Sequence, residues 1–166
     1  ITIIATINAG FISDEHWTQN LNIGGGRIIG EACHFIDLML YLTKSKIKNF
    51  KANNIFTQDK INNFDNFSVN FLFENGSLRV LNYLSSGNKS YPKERIEVFC
   101  DNKNYVIDNF FSLKAYGNSD FNKQKLWLQD KGHLNIIREF MDSLDKKNNI
   151  IKLDEIIHSA EVSINI

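Results

Sequence analysis

Two runs of alternating apolar residues, Asn66–Phe73 and Ser77–Leu84, stand back to back with only Glu74-Asn75-Gly76 between them. Asn-Gly between alternating runs is the strongest short hairpin signal, because both residues tolerate a positive φ. So short a link makes the two strands antiparallel neighbours, since a parallel pair needs a crossover of a dozen residues or more. Glu94–Cys100 and Tyr105–Asp108 repeat the arrangement around Asp101-Asn102-Lys103-Asn104. The middle of the chain is therefore a meander of strands.

Its ends read differently. Ile1–Asn8 is strand-like, with Ile1, Ile3, Ala5 and Ile7 on one face and Ile4 on the other. It opens on Ile without a turn or cap, like a strand leaving another domain, and the chain is expected to be a fragment of a longer protein. Asn8–Asn22 is a long loop, and Ile47–Thr57 is a further strand. Phe110–Tyr116 and Lys125–Asp130 supply one or two more. The chain closes with helices. His133–Lys146 carries Ile136, Ile137, Phe140, Met141 and Leu144 at helical spacing, with Lys146 and Lys147 complementing the C-terminal dipole. Leu153–Ile166 carries Ile156, Ile157, Ala160 and Ile164, with Asp154 and Glu155 near its start.

Strands in the middle and helices at the ends predict an α+β domain over residues 1–166, an open and mainly antiparallel sheet with helices on one face. Phe67, Val69, Phe71 and Phe73 oppose Leu72, so apolar residues lie on both faces of that strand. The uncovered face is then a candidate subunit contact, making a homo-oligomer.

Composition removes several classes of function. With 19 basic and 19 acidic residues the formal charge is zero, which leaves no basic footprint for nucleic acid or an anionic membrane. No apolar run is long enough to cross a bilayer. Cys33 and Cys100 read as free thiols of a reducing cytoplasm. Four histidines and two cysteines show no metal-ligand spacing.

The stretch Gly24–Leu42 holds the candidate chemistry. Three glycines lead into Ile28–Leu42, a helix apolar nearly all round and so expected to be buried. On a 3.6-residue period Arg27, Glu31, His34 and Tyr41 stack along one side, with Gly30 and Asp37 beside them. His34 suits proton transfer to a hydroxyl or carbonyl, because an unperturbed imidazole titrates near neutrality. Glu31 and Asp37 stand one turn to either side and either can orient it. A core histidine satisfied by a neighbouring carboxylate is the commoner outcome for such spacing. Asp37 fits equally a structural hydrogen bond to loop backbone. His16-Trp17 forms either a sugar-stacking corner or a buried loop anchor. Gly24, Gly26 and Gly30 imitate a dinucleotide-binding loop, but no apolar strand precedes them and no acid ends a second strand. A nucleotide fold inside this chain is rejected.

The segment Gly-Gly-Gly-Arg-Ile-Ile-Gly-Glu-Ala-Cys-His-Phe-Ile-Asp (24–37) resembles the signature helix of the glucose–fructose oxidoreductase, inositol dehydrogenase and rhizopine-catabolism (Gfo/Idh/MocA) family. Asn8-Ala9-Gly10 with His16-Trp17, the run Lys93–Phe99 and the Gly132-His133 helix fit one branch of it. The likeness is to the C-terminal α/β domain of those enzymes. It implies an N-terminal Rossmann domain, with NAD or NADP and a Glu-Lys-Pro lysine, that this chain lacks. The chain alone is then expected to hold no cofactor and to be inactive. It also implies a dimer through the open sheet and a face near the Gly24 loop that closes over a sugar or cyclitol substrate, in some members nucleotide-linked. His34 takes the family's acid/base position, oriented by Glu31, and Asn8, His16, Trp17, Arg27 and Asp37 become substrate contacts, with Arg27 suited to a carboxylate or phosphate. Many members carry an aspartate four residues before that histidine, where this chain has Gly30. A non-catalytic binding or assembly module, or a degenerate family member, is the alternative.

Overall fold

The computed structural model describes residues 1–55, 65–146 and 150–166. Eight strands form one sheet among them: β1 (Thr2–Asn8), β2 (Ile47–Asn54), β3 (Asn66–Phe73), β4 (Leu78–Leu84), β5 (Glu94–Cys100), β6 (Lys103–Asp108), β7 (Ser112–Tyr116) and β8 (Lys123–Lys125). Helix α1 (Cys33–Thr43) follows a π-helical turn over Ile28–Ala32, and α2 (His133–Lys146) and α3 (Leu153–Asn165) close the chain. The fold is α+β.

The strand order is β2-β3-β4-β1-β5-β6-β7-β8. Every neighbouring pair is antiparallel except one. β1 lies parallel to β4, with Thr2 opposite Leu78 and Asn8 opposite Leu84, and antiparallel to β5, with Ala5 opposite Ile96. β1 thus sits in mid-sheet, joining the first meander to the second. The hairpins follow their turn residues. Gly76 takes φ +78° while the Asn75 side chain accepts the Ser77 N–H at 3.0 Å. At the second turn both Asp101 and Asn102 take positive φ, the geometry that matches strand twist in a two-residue hairpin.

One sheet face is the core. Ile3, Ala5, Ile7, Val69, Phe71, Leu81, Tyr83 and Ile96 are buried there beneath Phe35, Ile36 and Met39 of α1 and Val162 of α3. Each large apolar side chain so buried contributes about 1.5–3 kcal/mol before entropy is counted. A fully buried Arg79 lies among them, with Nε donating to Thr43 Oγ1 at 3.1 Å and Nη1 donating to the carbonyls of Ile1 and Leu78. Burial lowers its pKa to about 10. The opposite face mixes Ile4, Val80 and Phe99 with polar pairs such as Ser68–Asn82 and Arg95–Glu97.

Several expectations need correction. α1 is not apolar all round: Phe35, Ile36 and Met39 face the core, whereas His34, Asp37 and Tyr41 are exposed. Those three stand three and four residues apart, on one side of the helix, and that side faces solvent. The π turn before them is wound more widely and shifts them relative to Arg27 and Glu31, so the single stripe predicted from a 3.6-residue period is broken. α3 turns Ser159, Val162 and Ser163 inward and leaves Ile156, Ile157 and Ile164 exposed, the reverse of its apolar pattern. No described side chain of α2 is buried. β7 begins at Ser112 because Asn109 and Phe110 both take positive φ and turn a corner, and β8 precedes its expected position. Phe56, Thr57 and Lys147 lie outside the described residues.

Candidate functional site

Where β1 ends, the chain passes from Asn8 through Ala9, Gly10 and Phe11 along one wall of an open concavity of about 620 Å³. The segment Lys89–Lys93 forms the opposite wall, and Asn109 closes one side. Asn8 fixes that opposite wall in place. Its Nδ2 donates to the Asn88 and Tyr91 carbonyls at 2.8 and 3.2 Å, and its backbone N–H to Lys93 O at 2.8 Å.

A charged cluster backs this wall. Lys93 Nζ lies 2.5 Å from Glu31 Oε1, the Tyr83 hydroxyl donates to Glu31 Oε2, and Arg27 Nη2 stands 3.7 Å from that same oxygen. Arg27 also donates from Nη2 to the Gly10 carbonyl at 3.2 Å and stacks over the Tyr83 ring. Only 2% of Arg27 is exposed, and its Nε and Nη1 find no partner among the described residues. Burial pushes the Glu31 carboxyl up, but hydrogen bonds from Lys93 and Tyr83 and the charges of Lys93 and Arg27 outweigh it, so the net shift is downward. Burial, reinforced by Glu31, drives the Tyr83 hydroxyl upward and keeps it a donor. The cluster carries two cations and one anion, so it presents net positive charge behind the concavity.

The predicted residues fall into separate places. Asn8 lines the concavity, and Arg27 and Glu31 stand behind it. His34 is exposed on α1, its Nδ1 4.0 Å from Cys33 Sγ, and no hydrogen bond joins it to Glu31. Asp37 is exposed one turn further along. His16 Nδ1 bonds Thr18 Oγ1, and the half-exposed Trp17 starts the short 3-10 turn Trp17–Gln19, its ring centroid 5.8 Å from that of His16. That corner is the packing surface for the glycine run: a Cβ on Gly24 would stand 2.5 Å from Thr18 Cα and 2.6 Å from Trp17 O. Cys33 and Cys100 are free thiols, and burial pushes that of Cys33 up. Among the described residues no group of His, Cys, Asp and Glu is placed to hold a metal ion, and no helix is long and apolar enough to cross a membrane.

The family profile of the GFO/IDH/MocA C-terminal domain matches residues 3–106. That span takes in β1, the glycine run, α1 and the walls of the concavity up to Lys93. The chain belongs to this family. No curated protein sequence matches it. Among solved structures it is similar to UDP-N-acetylglucosamine 3-dehydrogenase GnnA from Acidithiobacillus ferrooxidans, at 15% identity and a TM-score of 0.76 over 99% of this chain and 52% of that one. It is similar to an aldose-aldose oxidoreductase from Caulobacter crescentus solved with glycerol, at 14% identity and a TM-score of 0.78 over 97% and 50%. GenD2 from gentamicin A biosynthesis, solved with NAD, matches at 15% identity and a TM-score of 0.72 over 98% and 50%. The chain thus spans about half the length of these structures.

In this GFO/IDH/MocA C-terminal domain a Cβ on Gly30 would lie 3.1 Å from Thr18 Cγ2 and 3.7 Å from the Gly24 carbonyl oxygen, so the π turn packs closely on the Trp17 corner. A dinucleotide does not fit these glycines. They enter a π turn from a loop instead of following a buried strand, and Gly24 is filled by the chain's own backbone. Lys93 and Tyr83 escaped the sequence reading because they meet Glu31 from 62 and 52 residues away. The only local hint was Lys93 beside Glu94, heading a strand in the segment that resembles the family.

Proposed function

We propose that this chain is the substrate-binding half of an NAD(P)-dependent oxidoreductase acting on a sugar or cyclitol carbon. The observation that carries the reading is the Arg27–Glu31–Lys93–Tyr83 cluster behind an open concavity, in a domain of this family. The nicotinamide would supply the hydride acceptor or donor and would be held by a Rossmann domain outside residues 1–166. This chain's part is on the substrate side. Asn8 and Lys93 stand in the wall where hydroxyl or acidic groups would be met, and Lys93 with Arg27 favours a substrate bearing a phosphate or carboxylate, such as a nucleotide-linked sugar. His34, accessible on α1, would take or give the hydroxyl proton, with His16, Trp17 and Asp37 as further substrate contacts. Glu31 is committed to Lys93, Tyr83 and Arg27, so its role is to hold the cations. The open sheet face would make the dimer.

A second reading, a binding module without redox chemistry, draws on Gly30 in place of the family aspartate. Steady-state turnover of the complete gene product separates the two. His34→Ala is expected to lower kcat by about 10²–10⁴-fold, the usual contribution of a positioned acid/base. Unchanged turnover would defeat the acid/base role, and no turnover in the parent protein with any sugar would favour the module.

A further inference from the structure

The Asn8 side chain has no polar atom left for a ligand. Its Nδ2 carries two hydrogens, and both are taken, one by the Asn88 carbonyl and one by that of Tyr91. Its Oδ1 is buried, with no partner among the described residues. Gly87 lies against that oxygen: a Cβ there would stand 2.0 Å from Oδ1 and 2.8 Å from Cγ. Gly87 is not one of the glycines with a positive φ, so the close approach alone bars a side chain at this position.

The segment that Asn8 grips is held at both ends. At the β4 end, Asn66 Oδ1 accepts the N–H groups of Ser85 and Ser86 at 2.9 and 3.2 Å. Within the turn, Asn88 Oδ1 accepts the Ser90 N–H at 2.9 Å, and the Asn88 carbonyl accepts the Tyr91 N–H at 3.1 Å. The far end belongs to Asn8, whose side chain holds the Tyr91 carbonyl and whose own N–H holds the carbonyl of Lys93. Between those two anchors stands Pro92, the single proline of the chain, which fixes its own φ and restricts Tyr91 to extended backbone. Lys93 thus ends a stiff link that Asn8 holds on either side. From there its Nζ reaches Glu31 Oε1, 2.5 Å away, while 42% of the side chain stays exposed.

We infer that Asn8 is a positioning residue and not a substrate contact: with Gly87 as its counterpart, it sets the place of Lys93 on Glu31 beside the concavity. Only the part given to Lys93, meeting a phosphate or carboxylate of the substrate, rests on the function proposed above. A cation delivered in this way is preorganised, so an anionic ligand meets a fixed charge without first ordering a flexible lysine. Aspartate at this position would have the opposite effect. It keeps the shape of Asn8, but its carboxylate has no hydrogen to give and would face two carbonyl oxygens.

Competitive acetylation of lysines, read by mass spectrometry on the complete gene product, tests the inference. With a limiting amount of acetic anhydride, Lys93 should react slowly because its amine is paired. Asn8→Asp should raise that rate roughly tenfold, the scale of one lost hydrogen bond to a charged group. The exposed Lys51 and Lys114 should keep their rates, which excludes general unfolding. Gly87→Ala should release Lys93 in the same way from the loop side, and carries the test alone if Asn8→Asp does not fold. Glu31→Gln frees Lys93 directly, so adding Asn8→Asp to it should raise the rate by no more than about twofold further. Unchanged Lys93 labelling in the folded variants would overturn the inference. So would full additivity with Glu31→Gln, because Asn8 would then act through something else. Labelling needs no substrate, so a parent protein that turns over no sugar would sink the functional reading and leave the clamp standing.

Discussion

Glu31 holds together two cations and a phenol that belong to three different parts of the chain. Removing its charge should be felt as stability first. Glu31→Gln leaves Lys93 and Arg27 without their anion, and a hydrogen bond to a charged group contributes about 1.5–3 kcal/mol, so a drop of that order in urea-unfolding free energy at pH 7 is expected. The pH dependence has a definite sign. The folded carboxyl lies below its ordinary value of 4.5, so its contribution is present above about 4.5 and is lost as pH falls through the lowered folded value. The stability gap between the parent and Glu31→Gln should therefore close on acidification below 4.5. Arg79 poses the opposite case, a buried guanidinium whose Nη2 has no partner among the described residues. Arg79→Met should change thermal stability little, within about 1.5 kcal/mol, whereas Arg79→Ala should cost about 2–5 kcal/mol by leaving a cavity. Of these contacts only the Arg27–Glu31 pair, one helical turn apart, was visible in one dimension. Arg27 and Glu31 were picked out by spacing on a helix, but their partners come from β4 and the Lys89–Lys93 wall, and long-range pairing leaves no periodic trace.

Among the elements, the hairpins were the most legible, because Asn75-Gly76 and Asp101-Asn102 are local chemistry. The helices were less so. Apolar spacing located α1, α2 and α3 but misjudged which sides are covered: α1 exposes His34, Asp37 and Tyr41, and α3, which packs on α1, buries Ser159 and Ser163. Two variants of α3 check that inversion by denaturant midpoint. Ser163→Leu should overpack the contact with α1 and cost about 1–3 kcal/mol. Ile156→Ser should stay within about 0.5 kcal/mol in the 166-residue chain, since that side chain is half exposed there. The glycine run was legible as a helix entry, though not the reason for Gly24, which is the backbone of Trp17 and Thr18 lying where its side chain would be.

At the scale of the molecule, the fold class and the open sheet were readable, while the parallel pairing of β1 with β4 was not. The pattern of Ile3, Ala5 and Ile7 says only that one face is buried. If the open face makes the dimer, Ile4→Lys with Val80→Lys should turn a dimer into a monomer by sedimentation velocity without loss of β structure. A dimer that survives both charges would place the contact elsewhere. The central position of β1 also bears on synthesis. Its neighbours begin at Leu78 and Glu94, so at ~5–20 residues per second a ribosome needs several seconds to supply the first of them. For that time an isoleucine-rich segment with two bare edges is outside the tunnel unmatched. Nascent chains stalled before Leu78 should accordingly be the form most prone to clump and most avidly held by chaperones.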